Sequence, residues 1–213
     1  IVGVVDKDQV LDGSAIQEGD VVLALASNGL HTNGYTLVRA LMASHPDLSD
    51  MILPKDAYNA RGGAEPDFFE PGKDETFFDV IMRPHTPYYR AVKDLFALKG
   101  MRAMAHITGG GIQDNLNRVL PPGITAVIDR AAIQPLPLFR EIRTRGNVED
   151  DEMLRTFNCG VGLCIVVAPE AAPACIDHLK AQGHHAYPLG TTVRSNGTSL
   201  PDQAVVYKNH VNW

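Results

Sequence analysis

GDVVLALASNGLHTNGYTLVR, residues Gly19–Arg39, divides into an apolar run, a polar turn and an amphipathic stretch. Val21–Ala26 (VVLALA) is short and continuously apolar, the pattern of a strand covered on both faces. Ser27–Gly34 follows, made of small polar residues, one histidine and two spaced glycines. Tyr35, Leu37, Val38, Leu41 and Met42 then fall on one helical stripe. A stop is expected near His45-Pro46, because the residue before a proline is pushed out of the α region. A doubly covered strand feeding a helix predicts an α/β (α+β) domain, a mixed sheet layered with helices.

Working outward, the alternation recurs. Further strands are expected at Arg102–Ile107, Ile124–Asp129, Val161–Val167, Ala186–Thr191 and Ala204–Lys208. Helices are expected at Pro84–Leu98, Ile112–Leu120, Leu136–Arg145, Asp150–Thr156 and Pro169–Gln182. Ile1–Asp6 (IVGVVD) reads as a strand already inside a fold, without initiator Met or basic leader, so a piece of a longer chain is expected. Asp47–Asp79 is rich in Pro, Gly and acids and lacks a sustained period; it reads as a long excursion, a lid or an insertion. No repeat or linker divides residues 1–213, and one domain is expected.

The chain has 213 residues, 21% charged and 45% hydrophobic, which excludes disordered and low-complexity classes. Its net charge of −6, without Lys/Arg clusters, argues against a nucleic-acid partner. No apolar run reaches the ~18 residues that would span a membrane. Three cysteines make no paired framework, which points to a reducing, cytoplasmic setting.

Two turns carry the candidate chemistry. A strand-to-helix turn gathers unpaired N–H groups and the positive end of the helix dipole, so it suits an anion. In the first, Ser27, Asn28 and Asn33 are candidate substrate-binding groups, and His31 is the candidate catalytic residue in a turn expected to be exposed. An imidazole with an ordinary pKa of about 6.5 suits proton transfer. The plainer alternative is that Thr32 or Asn33 caps the helix and the glycines serve turn geometry.

In the second turn, Thr108-Gly109-Gly110-Gly111 leads into a helix carrying Asn115 and Arg118. Consecutive glycines cost folding entropy, and close approach of a phosphate to bare backbone would explain them; a plain flexible turn is the alternative. The run lacks both the Lys-Ser/Thr of a nucleotide P-loop and dinucleotide-fingerprint spacing. Asn158, before Val161–Val167, is either a binding residue or a turn former. Cys164 is expected in the core. His178, His184 and His185 lack partner carboxylates at ligand spacing, so no metal site is expected.

Three segments carry a family resemblance: Gly19–Arg39, AHITGGGIQDNLNRVLP (Ala105–Pro121) and GNVEDDEMLRTFNCGVG (Gly146–Gly162). Together and in this order they resemble the carboxy-terminal half of the phosphoribosylformylglycinamidine cyclo-ligases, the aminoimidazole ribonucleotide synthetases of purine biosynthesis. The resemblance implies that ATP activates the amide oxygen of formylglycinamidine ribonucleotide and the amidine nitrogen closes the imidazole ring, expelling phosphate. It also implies a homodimeric full-length enzyme whose amino-terminal domain, absent here, holds ATP and Mg2+. This chain alone is then expected to be inactive. A related superfamily kinase or synthetase, or a ligand-binding module without chemistry, are the alternative readings.

Overall fold

The computed structural model describes residues 4–7, 10–54, 74–195 and 204–213. Eight strands are present there: β1 Val21–Ala26, β2 Ile52–Leu53, β3 Glu75–Thr76, β4 Met101–His106, β5 Ile124–Asp129, β6 Val161–Val167, β7 Ala186–Arg194 and β8 Val205–Lys208. Six of them form one sheet in the order β4-β6-β1-β7-β5-β8, and β2 pairs with β3 in a separate ribbon. Neighbours in the large sheet are antiparallel except β5 and β8, so the sheet is mixed.

The apolar run that decides the class is buried as its pattern requires. Val22 and Ala24 face one hydrophobic layer; Leu23 and Leu25 face the other. On strand β6, Cys164 and Val166 join the first layer and Leu163, Ile165 and Val167 the second. The first layer is closed by α1 (Tyr35–Ser44), by α4 (Gly111–Asn117), which follows the glycines, and by α5 (Pro137–Gly146) and α6 (Asp150–Thr156). The second lies under α3 (Tyr89–Val92) and α7 (Ala172–Ala181). Each fully buried Leu or Val contributes roughly 1.5–3 kcal/mol, so this two-sided strand anchors both layers.

Several expectations shift. Val4–Asp6 form no strand, and Val4 and Val5 are exposed; residues 1–3 lie outside the described residues. The helix expected from Pro84 starts only at Tyr89 and gives way to a 3-10 turn over Lys93–Ala97. Pro87 restricts Thr86 to extended backbone, so the Pro84–Pro87 segment cannot enter a helix. Pro169–Ala171 is likewise a 3-10 turn before the helix proper. The helix after the glycines ends at Asn117 rather than Leu120, and β7 runs on to Arg194. The ends of the Asp47–Asp79 excursion are ordered into a 3-10 turn at Pro46–Leu48, the β2–β3 ribbon and α2 (Phe77–Ile81), closed by a Thr76–Asp79 capping box. Residues 55–73 of that excursion lie outside the described residues.

Candidate active site

Strands β1 and β4 both pair antiparallel with β6, so they run in the same direction and end together. Ala26 pairs with Val161 and His106 with Leu163, which puts both following turns at one end of the sheet. The turns meet there. The Oδ1 of Asn33 lies 3.5 Å from where a Cβ on Gly109 would sit.

Most of the predicted polar residues hold the turns in shape. Ser27 Oγ donates to Asn158 Oδ1 at 2.8 Å, and Asn158 Nδ2 donates to the carbonyls of Gly29 and Leu30. The same Oδ1 accepts from the N–H of Gly160. Asn158 is therefore a buried strut that joins the β1 turn to the start of β6. Asn28 donates through Nδ2 to the Pro84 carbonyl and contacts His31 Nε2 through Oδ1 at 3.1 Å. In the second turn Asn115 Nδ2 donates to the carbonyls of Gly109 and Gly111, and Thr108 Oγ1 donates to Asn115 Oδ1. Arg118 is exposed just past the helix end. Asn33 has no hydrogen-bond partner among the described residues.

Neither Thr32 nor Asn33 caps α1. Gly34 is the N-cap, with φ +81°, and a Cβ there would meet the Phe157 ring at 2.0 Å. Gly110 and Gly111 have similar local reasons. Their φ values are +90° and +61°, and a Cβ on Gly111 would lie 1.8 Å from the Leu154 carbonyl oxygen. Their N–H groups donate to the carbonyls of Arg155 and Thr108. Gly109 differs, since it lacks both positive φ and a backbone neighbour at clashing distance. A cleft of about 300 Å³ opens behind this loop, with Gly110, Asp114, Arg130, Asp151 and Arg155 in its walls. Asp151 pairs with Arg130 at 2.8 Å.

His31 corrects the expectation of an exposed turn residue: it is 6% exposed. Its φ is +60°, a left-handed conformation that costs a non-glycine residue about 1–2 kcal/mol. Gly162 makes room for it, because a Cβ there would fall 1.8 Å from the Tyr88 hydroxyl and 2.9 Å from His31 Cε1. Burial, then the neighbouring His85 and His106, push the His31 pKa down to about 3. The ring stays neutral at pH 7, and its Nδ1 is buried without a hydrogen-bond partner among the described residues.

The two neighbours were not among the sequence candidates. His85 Nε2 lies 2.9 Å from His106 Nε2, and the His31 and His85 ring centroids are 3.8 Å apart. Tyr88 walls the cluster edge-on to both of these rings and donates its hydroxyl hydrogen to the Ala26 carbonyl at 2.8 Å. Arg83, ion-paired with Glu75 and reaching the Asn28 carbonyl, fixes the segment that carries His85. A histidine near the end of an expected strand, two residues before Thr108-Gly109, was a legible signal for His106. His85 offered none beyond its flanking prolines.

The signature of the AIR synthase related protein, C-terminal domain, matches residues 17–203. The chain belongs to this family. As a member of the AIR synthase related family it is 40% identical over 206 residues to the phosphoribosylformylglycinamidine cyclo-ligase of Methylobacillus flagellatus, covering 97% of this chain and 54% of that protein. Against the chloroplastic cyclo-ligase of Arabidopsis thaliana it is 40% identical over 198 residues, 93% of this chain and 46% of that protein. The chain thus spans about half the length of the curated relatives it matches. Among solved structures, E. coli HypE, a hydrogenase maturation protein, aligns with a TM-score of 0.52 at 18% identity, over 92% of this chain and 48% of that one. Phosphoribosylformylglycinamidine synthase II from Thermotoga maritima aligns with a TM-score of 0.51 at 11% identity, over 98% of this chain and 27% of that one. These two likenesses show a shared fold. No helix among the described residues is long and apolar enough to cross a membrane.

Proposed function

We propose that this chain is the carboxy-terminal, substrate-side half of an ATP-dependent phosphoribosylformylglycinamidine cyclo-ligase acting in the cytoplasm on formylglycinamidine ribonucleotide. The observation that carries this reading is the meeting of the two turns, Asn33 against Gly109, beside the histidine cluster at one end of the sheet. The relatives are named cyclo-ligases, and the resemblance implies closure of the imidazole ring with expulsion of phosphate.

The donor chemistry here does not fit a magnesium–nucleotide group. Mg2+ prefers carboxylate and water oxygens, whereas the cluster offers imidazoles, and the N–H groups of Gly110 and Gly111 already have carbonyl partners. On this reading ATP and Mg2+ are held by the amino-terminal half of a homodimeric full-length enzyme. One HypE structure of this fold is a complex with ATP.

This chain's residues would do three things. Asn33 and the open face of Gly109 would meet the substrate and its phosphate. Ser27, Asn28, Thr108, Asn115 and Asn158 hold those groups in register. As ring closure proceeds, the attacking nitrogen must lose a proton, and the free Nδ1 of His31 would receive it. The His85–His106 pair is the route outward for that proton.

Calorimetry of the chain with formylglycinamidine ribonucleotide, against an unrelated nucleoside monophosphate, tests the reading. Selective binding, together with ATP-dependent ring closure once the amino-terminal half of a relative is supplied, is the expected result. Equal affinity for both ligands and no restored turnover would sink it. The isolated chain should not turn over, because aligning two reactants supplies roughly 7–11 kcal/mol of barrier reduction and half a site cannot hold both.

A further inference from the structure

We propose that His31, His85 and His106 form a binding site for a single divalent transition-metal ion of the zinc class. One ligating nitrogen from each ring lies within 4.8 Å of the other two, the arrangement a three-histidine site needs before an ion draws it in. In a tetrahedral zinc site with Zn–N of 2.0–2.1 Å, ligand nitrogens stand about 3.3 Å apart. The 2.9 Å between His85 Nε2 and His106 Nε2 is already close to that spacing. The proposal does not rest on the cyclo-ligase reading, whose proton transfer needs His31 free of metal, and it runs against the absence of metal ligands expected from His178, His184 and His185.

Two outer contacts resemble the supporting bonds of metal-bound imidazoles, which commonly donate their second N–H to a carbonyl or carboxamide oxygen. His31 Nε2 faces Asn28 Oδ1 at 3.1 Å, and His85 Nδ1 faces the Thr86 carbonyl at 2.7 Å. Those bonds select the tautomers that leave a lone pair on the remaining nitrogen. On His31, Nδ1 is buried with no hydrogen-bond partner among the described residues, an unmet acceptor that a cation would satisfy.

The ligand set also selects the ion. Three neutral imidazoles without a carboxylate suit Zn2+, Co2+, Ni2+ or Cu2+ and disfavour Mg2+ and Ca2+. The buried cysteines are outside the cluster, so sulfur takes no part. Burial grades from His31, buried, through His85 to His106, exposed, so an ion would enter from the His106 side and keep a fourth position toward solvent. Tyr88 and the Gly162 backbone close the opposite side.

The experiment uses the chain stripped with chelator and titrated with Co2+ alone, followed by displacement with Zn2+. Expected are one equivalent of Co2+ with the visible absorption of a low-coordinate nitrogen-ligated ion, no thiolate charge-transfer band, and a Zn2+-dependent rise in Tm. His85→Ala and His106→Ala lie away from the core, and each should weaken binding by at least about tenfold. His178→Ala should leave binding unchanged. Circular dichroism establishes that each variant is folded. Absence of the cobalt spectrum, a thiolate band, or unchanged affinity in a folded His85→Ala/His106→Ala double variant would overturn the proposal. If metal binds as described and formylglycinamidine ribonucleotide does not, the metal site stands and the cyclo-ligase reading falls.

Discussion

Ser27 and Asn158, 131 positions apart in the chain, share a buried 2.8 Å hydrogen bond that locks the turn after β1 to the turn before β6. Both residues are nearly inaccessible, at 4% and 2% exposed. The carboxamide of Asn158 also serves two carbonyls and one N–H of the same turns. Its amide thus defines the backbone path on which His31 and Asn33 are carried.

Asn158→Ala should destabilise the chain by about 2–4 kcal/mol, because several buried polar groups lose their partner at once. Asn158→Asp keeps the acceptor for Ser27 but presents no N–H to the Gly29 and Leu30 carbonyls, so it too should destabilise. Denaturant titration reads both. A loss below about 1 kcal/mol for the alanine variant would mean that water replaces the strut.

The three glycines should respond differently. Gly111→Ala places a Cβ against the Leu154 carbonyl at positive φ and should cost about 3 kcal/mol or more. Gly110→Val would meet the Asp114 side chain at φ +90° and confound binding with folding. Gly109→Ala meets only Asn33 Oδ1, at 3.5 Å, so stability should stay within about 0.5 kcal/mol. Substrate affinity should nevertheless fall in this variant, as measured by calorimetry. Unchanged affinity in a folded Gly109→Ala protein would remove the loop from the binding face.

Acid should weaken the fold through His31. The unfolded chain takes up a proton near the ordinary pKa of about 6.5, whereas the folded ring resists protonation down to about 3. The stabilisation is complete above about pH 6.5 and is lost as pH falls below it, by up to about 1.4 kcal/mol per pH unit. His106 and His184, also shifted down by burial, act in the same direction. Thermal unfolding across pH 4–7 should show a shallower slope in His31→Gln, and an identical slope would place the proton uptake elsewhere.

In an enzyme reconstituted with an amino-terminal half, His31→Ala should lower kcat by roughly 10²–10⁴-fold while changing KM far less. Steady-state kinetics decide between proton transfer and packing. A raised KM with unchanged kcat would leave His31 as a buried turn residue beside Tyr88.

The sequence by itself determined the elements whose patterning is local. Val21–Ala26, Ile124–Asp129 and Val161–Val167 have the bounds read from the sequence, and for VVLALA and VGLCIVV the reason is that a strand covered on both faces favours apolar residues along its whole length. The GDVVLALASNGLHTNG, AHITGGG and TFNCG segments also carried the family. What only the tertiary structure decided lies between segments. The strand order set by β6 brings the ends of β1 and β4 together, and no local signal encodes which strands share a neighbour. That pairing makes Asn158 a support, because its partners Ser27, Gly29 and Leu30 come from the distant β1 turn, whereas Asn115 is held by Thr108, Gly109 and Gly111 of its own turn. It also buried His31, which a Gly-flanked polar turn suggested was exposed, and joined it to His85 and His106. A histidine's burial and pKa depend on what other segments place around it, and that information is distributed across the whole chain.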